Sequence, residues 1–348
     1  MTTPPIEQTP AHTPGSTPAS TPAAPQPAKG GLPRATGKVV WVMLVAVAVY
    51  GVFAIVSGVR ELGDRLAGFA WWTFFAALGL AFGNYLLRFL KWQYYLAVLE
   101  IRGVPALDSF LTFLSGFVLS ITPGKVGEVF KSFVLYETHG VPAQRTAPIV
   151  VAERLTDLIG VIVLIAAGST RFKGGLMWAG AGTALVGSIL VLIASRRLSM
   201  WMIGMVEWLP GPGKRLGPKL REAYASLHVL TRPSRLLLPT LLSIAAWFLE
   251  CMALWIILRG FGQATSVLGA SFFYATSTLA GALIPVPGGL GVTDMVMRTL
   301  MRDLGDVDPA GATGAMLLVR FATLWFAVLV GFVALSLLKR RHPKLLKT

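Results

Sequence analysis

Apolar residues run in long, nearly uninterrupted blocks along this chain, at 38–59, 67–90, 147–169, 174–195, 236–258 and 311–338. Each block meets the length of about 20 residues that a helix needs to cross a hydrocarbon core roughly 30 Å thick. The signal is continuous and not a ten-residue alternation, so outer-membrane barrel strands are excluded. The pattern predicts an all-α, polytopic helical membrane protein.

Two further apolar stretches behave differently. Residues 106–137 (ALDSFLTFLSGFVLSITPGKVGEVFKSFVLYE) and 266–303 (SVLGASFFYATSTLAGALIPVPGGLGVTDMVMRTLMRD) are each interrupted midway by proline and glycine, followed by an acid. Proline removes a backbone donor, and an interruption at membrane depth leaves polar backbone that lipid cannot satisfy. Such breaks must face protein or water. Both stretches are expected to form pairs of short helices in re-entrant hairpins, with ordinary kinked helices or surface loops as the alternative.

Composition places the rest. Hydrophobic residues are 54% of the 348 positions and charged residues 14%, which leaves a soluble fold with too much apolar surface. Residues 1–35 are rich in Pro, Thr and Ala and cannot bury enough surface to fold, so a disordered tail is expected. The tail sets the first apolar block too far from the N-terminus for an ordinary cleaved signal peptide, and that block reads as a retained anchor. One membrane domain then covers 36–340, with a basic tail at 341–348.

The 31 Lys and Arg against 16 Asp and Glu give a net charge of +15. No soluble segment interleaves basic and aromatic residues, so nucleic acid is not an expected partner. The cations lie mostly in loops and at block ends: Arg34 and Lys38, Arg88 and Lys91, a crowded connection at 196–235, and the C-terminal KRRHPKLLK. If both hairpins return to their own side, these regions share one face, which the positive-inside rule makes cytoplasmic. Asp303, Asp306 and Asp308 fall opposite, Arg171 and Lys173 being a minor exception. This implies a bacterial inner-membrane protein with both termini in the cytoplasm. The segment REAYASLHVLTRPSRL suits either a helix on the cytoplasmic leaflet or a solvated linker. Trp71, Trp72, Trp92, Tyr94 and Tyr95 near block ends are expected to be interfacial anchors.

The two broken stretches repeat one another. ITPGKVGE at 121–128 and PVPGGLGVTD at 285–294 both run proline, glycine, glycine, acid. Glu128 precedes Arg154 by 26 residues (154 − 128), and Asp294 precedes Arg320 by the same interval (320 − 294). Upstream, Arg88 and Glu250 occupy comparable places. Repeat one covers about 67–170 and repeat two about 236–338, and the charge-based topology turns them in opposite senses. That is an inverted repeat, an architecture in which transporters place a site between broken helices.

Charges inside apolar runs cost about 2.5–3.5 kcal/mol each on insertion scales and mark a partner or a water-filled cavity. The candidates are Glu153, Arg154 and Asp157 in one helix, Glu250 and Arg320 in others, and Lys125, Glu128 and Asp294 at the breaks. On one reading Arg88, Lys125, Arg154 and Arg320 hold a lipid phosphate, helped by the helix N-termini after each break. On the other, Arg154 pairs with Glu128, and Arg320 with Asp294 or Glu250, only to hold helices together. Glu153 is the acid most expected to be structural. Cys251 is the single cysteine, and His12, His139, His228 and His342 show no metal-ligand spacing, so neither a metal site nor a cofactor is expected. The phosphate-binding motif GxxxxGK[ST] is absent, and no Ser-His-Asp set assembles.

LLRFLKWQYYLAVLE, SGFVLSITPGKVGEVFKSFVL, VVAERLTDLIGVIVL and LIPVPGGLGVTD, followed by Arg320 in a final apolar block, resemble the flippase-like family named for the transmembrane region of lysylphosphatidylglycerol synthases. The resemblance covers roughly 38–338. It implies movement of aminoacylated phosphatidylglycerol, other phospholipids or lipid-linked sugars between leaflets. The positions it carries over are Arg88, Pro123, Gly124, Gly127, Glu128, Glu153, Arg154, Asp157, Pro287, Gly288, Gly289, Gly291 and Arg320. Thr293-Asp294 stands where that family commonly has glutamate. No segment up to Thr348 resembles the soluble aminoacyl-transfer domain of the synthases, so the lipid is expected to come from another protein or to be of a different kind. Expected partners are therefore anionic or phosphate-bearing membrane lipids and a lipid-modifying enzyme. Two other functions stay open at this point: a non-transporting accessory subunit of a lipid-modifying or envelope-glycosylation system, and an intramembrane transferase.

Overall fold

The computed structural model describes residues 59–122, 128–172, 224–284, 286–343 and 345, with isolated positions between 177 and 204. All regular structure among the described residues is helical. The blocks expected at 38–59 and 174–195, the N-terminal tail and most of the basic connection lie outside them.

A short amphipathic helix, α1 (Val59–Ala67), leads into α2 (Trp72–Val98). The first broken stretch follows as α3 (Ala106–Ser115), a tight turn at Gly116–Leu119 and α4 (Phe130–His139). Next comes α5 (Ala143–Ser169) and, beyond the connection, α6 (Pro233–Gly260). The second broken stretch is α7 (Val267–Leu283) and α8 (Val292–Asp303), and α9 (Pro309–Arg320) runs into α10 (Phe326–Arg341) through one wide π turn at Phe321–Trp325.

Three of these are long and apolar enough to span a membrane: α2, α6 and the continuous α9–α10 unit. At 27 residues α5 has the length, but it carries Glu153, Arg154 and Asp157 in its middle. Local chemistry sets the boundaries. Asp308 caps α9 by accepting from the Gly311 amide at 2.8 Å, and Ser266 caps α7 by accepting from Gly269 at 3.1 Å. Gly140 ends α4 in the left-handed conformation at φ 67°.

One boundary differs from expectation in a way that matters. The second apolar block ends at residue 90 by hydropathy, but α2 runs on through Lys91, Trp92 and Tyr95 until Glu100 and Gly103 turn the chain at positive φ. Arg88 and Lys91 are therefore inside a packed helix and are not topology-setting charges at its end. Trp71 and Trp72 are exposed as anchors should be, whereas Trp92 and Tyr95 are fully buried.

Two helix contacts are exchanged between the two halves. Helix α2 lies along α6, its counterpart; α7 of the second broken stretch packs on α5, the last helix of the first half; and α3 of the first packs on α10, the last of the second. Glycines permit both exchanged contacts. A Cβ on Gly168 of α5 would stand 2.7 Å from the Leu268 carbonyl of α7, and one on Gly331 of α10 would stand 2.6 Å from the Val118 amide after α3. Between the halves, Ile121 and Leu290 from the two breaks share a small apolar cluster with Leu324 and Val328.

Candidate functional site

Each broken stretch ends its first helix where the sequence supplies turn residues, and the second break is described almost completely. Gly288, Gly289 and Gly291 all have positive φ, between 62° and 82°, a conformation that a side chain would strain. Pro287 opens the single turn Pro287–Gly289. Helix α8 then starts at Gly291, whose amide donates to Asp294 Oδ2 at 2.8 Å. The other oxygen of Asp294 forms an ion pair with Arg320 Nε at 2.8 Å, and Arg320 Nη2 donates to the Gly288 carbonyl. One arginine thus ties α9 to both sides of the break. The π turn follows it directly, as such turns often do where a side chain must be re-aimed.

Of the first break, Pro123, Gly124, Lys125 and Gly127 lie outside the described residues. Its acid is in place: Glu128 is buried and receives Arg154 Nη2, with Arg88 Nη2 at 3.5 Å from its other oxygen. Asp157 joins the same cluster. Its Oδ2 lies 3.6 Å from Arg154 and 3.9 Å from Arg88, while its Oδ1 accepts from Lys91 Nζ at 2.6 Å. The Lys91 ammonium is fully buried and spends its remaining donors on Ser243 Oγ at 2.7 Å and Thr156 Oγ1 at 3.3 Å. Three cations thus meet two carboxylates across α2, α5 and the first break.

Glu153 stands apart from this cluster. It pairs with Lys131 of α4, whose ammonium also lies 4.6 Å from the Trp92 ring centre and 5.3 Å from that of Phe113. This pair links α4 to α5. Glu250 accepts a hydrogen bond from Tyr274 Oη at 2.7 Å, and Arg320 forms an ion pair with Asp294.

These groups surround a cavity of about 360 Å³. Arg88, Arg154, Asp157, Glu250 and Arg320 line it, with Thr122 from the first break and Gly288, Gly289 and Thr293 from the second. Tyr85, Phe117, Trp247 and Leu324 supply apolar wall. Arg154 is the most open of the charges, its side chain 27% exposed. The volume falls within the range of about 300–1,000 Å³ found for pockets that hold small ligands, enough for a polar headgroup. The family model for the lysylphosphatidylglycerol synthase transmembrane (TM) region matches residues 42–331. The chain belongs to that family.

Its relatives in the family include two UPF0104 membrane proteins of Methanocaldococcus jannaschii. MJ1595 is 25% identical over 283 residues, 73% of this chain and 81% of that protein. MJ1078 is 23% identical over 240 residues, 66% of this chain and 98% of that protein. A UPF0104 membrane protein of Methanothermobacter thermautotrophicus is 22% identical over 232 residues, 60% of this chain and 68% of that protein. Membership makes this a membrane protein of a lipid-related family.

The structure adds site residues that sequence reasoning missed. Lys91 was legible only as an end charge, although it stands three residues after Arg88 and so shares its helical face, and Lys131 carried no signal. Tyr85 and Tyr274 carried no signal, for an aromatic in an apolar helix is ordinarily packing.

Proposed function

We propose that this protein moves a phosphate-bearing lipid headgroup between the leaflets of the inner membrane, through the cavity between its two broken helix pairs. The observation that carries this reading is that one cavity is lined by three arginines, Arg88, Arg154 and Arg320, and by residues of both breaks. Guanidinium groups grip phosphate through paired donors, and desolvated charges at membrane depth are kept where a polar cargo or water meets them. The Arg154–Glu128 and Arg320–Asp294 pairs supply each arginine with a resting partner that a phosphate replaces.

The exchanged packing of α7 on α5 and α3 on α10 supports two related repeats, and the charge-based topology makes them inverted, with each broken stretch re-entrant from its own side. Rocking of one half against the other then opens the cavity alternately. No bond needs to be made or broken in this reading, and the lipid is supplied by a modifying enzyme elsewhere in the membrane.

The test is leaflet exchange of fluorescent lipids in liposomes, read with a membrane-impermeant quencher. Wild type is compared with Arg154→Gln and Arg320→Gln at matched insertion and monodispersity, over anionic, aminoacylated and polyprenyl-linked lipids. Each substitution is expected to slow exchange by about tenfold or more, the loss of one charge-assisted contact. Exchange no faster than in empty liposomes for every lipid, with and without a proton gradient, sinks the proposal and favours an accessory role. In that role the same ion pairs serve only to hold the helices within each half together.

A further inference from the structure

Away from the cavity, three residues with no sequence proximity meet at one end of the bundle. Asp108 lies in the first turn of α3, His139 closes α4 and His342 follows the last residue of α10. Their ligand-capable atoms all lie within 4.8 Å of one another. Asp108 Oδ2 is 3.0 Å from His342 Nε2 and 3.6 Å from His139 Nε2.

The hydrogen bonds fix which ring nitrogen of His139 is available. Thr138 donates its hydroxyl proton to the Val134 carbonyl at 2.8 Å, so its oxygen accepts from His139 Nδ1–H, also at 2.8 Å. In the neutral ring the lone pair is then on Nε2, the nitrogen that faces the carboxylate. Two lone-pair atoms turned toward each other repel unless a proton or a metal cation stands between them. An outer partner on the far nitrogen is also how a metal-bound imidazole is usually oriented.

We propose that Asp108, His139 and His342 form a binding site for a divalent transition-metal ion of the zinc class, which staples the end of α10 to both arms of the first broken pair. Two imidazoles and one carboxylate suit zinc and its neighbours, whereas magnesium and calcium prefer all-oxygen sets. Bonds of about 2.0–2.1 Å place tetrahedral ligand atoms about 3.3 Å apart. Two of the observed separations, 3.0 and 3.6 Å, bracket that value, and the third closes by a side-chain shift of His342, which is 29% exposed and free to adjust at its helix end. Both histidines stand at helix C-terminal ends, where the partial charge is negative. Arg341 Nε holds the other carboxylate oxygen, Oδ1, at 2.7 Å and leaves Oδ2 as the single inward ligand. Water completes the sphere.

The site is independent of the transport reading, and its test does not use lipid movement. Full-length protein, freed of any affinity tag and stripped of metal with a chelator, is titrated with zinc chloride by calorimetry and followed by thermal unfolding. One zinc per chain is expected, with a rise in unfolding temperature. His139→Ala and His342→Ala should each weaken zinc binding about tenfold or more, with His228→Ala as the unaffected control. Arg341→Gln removes a competing positive charge and should tighten binding. His342→Ala, at an exposed helix end, keeps the test valid if His139→Ala does not fold. Absence of saturable binding in wild type, or binding unchanged in both histidine variants, overturns the proposal and leaves a hydrogen-bonded carboxylate between two imidazoles.

Discussion

Replacing Lys91 by methionine tests whether the buried charge cluster is a unit. Methionine keeps the length and the apolar stem but removes an ammonium whose three contacts are Asp157, Ser243 and Thr156. Removing one partner of a buried pair costs about 3–5 kcal/mol, because the other charge is left uncompensated. Here Asp157 keeps Arg154 at 3.6 Å and Arg88 at 3.9 Å, both long, and the Ser243 hydroxyl at 3.0 Å, so the lower figure of about 3 kcal/mol applies. If the contact were only another hydrogen bond between membrane helices, the loss would average about 0.6 kcal/mol. The two values separate clearly in equilibrium unfolding of the detergent-solubilised protein. The double variant Lys91→Met with Asp157→Leu removes both charges and should recover at least half of the loss. A cost of less than about 1 kcal/mol for Lys91→Met, or no recovery in the double variant, refutes the idea that Asp157 depends on this ammonium.

Gly281→Ala would set a Cβ 1.9 Å from Thr293 Oγ1 and wedge α7 away from α8, and a second change, Thr293→Ala, should restore most of the lost thermal stability. Gly168→Ala meets backbone and not a flexible tip, at 2.7 Å from the Leu268 carbonyl and 2.9 Å from the Phe272 amide, so unfolding measurements should show a loss of about 1–3 kcal/mol with no single-residue rescue. On the proposed transport reading, Glu250→Gln should reduce the preference for lipids with a cationic headgroup group over purely anionic ones, measured as a ratio of exchange rates, while Tyr274→Phe leaves the carboxylate charge in place and changes that ratio less.

The helical membrane architecture was legible because long apolar blocks have few other solutions, and the second broken stretch folds as helix, break and helix where proline and glycine interrupt it. The pairs Glu128–Arg154 and Asp294–Arg320 were legible as candidates because charges at equal intervals in apolar surroundings need partners. Other features were hidden for physical reasons. Hydropathy cannot tell a lysine at a helix end from one whose ammonium is satisfied inside, so Lys91 read as a boundary charge. Trp92 and Tyr95 look like interfacial anchors until packing buries them, Trp92 against the Lys131 ammonium. Asp108, His139 and His342 are brought together by three elements from both ends of the chain, and no local spacing announces such a set.

The two halves match in the order of their helices but not in charge, and that difference bears on what the cavity suits. Three residues after Arg154 comes Asp157, whereas three after Arg320 comes Thr323; Arg88 is answered by Glu250, and Lys91 by Ala253. In the first half Arg88, Lys91 and Arg154 face Glu128 and Asp157, a surplus of one cation. In the second, Arg320 faces Asp294 while Glu250 stands nearby on Tyr274, a surplus of one anion. A perfectly symmetric cavity would present the same sign on both sides and attract a simple anion. On the proposed transport reading, the opposed surpluses beside the cavity suit a headgroup that carries a phosphate and a positive group together, aligned along the axis between the halves. Reversing the asymmetry by exchanging Arg88 and Glu250 would then invert the preferred alignment while leaving the total charge of the cavity unchanged.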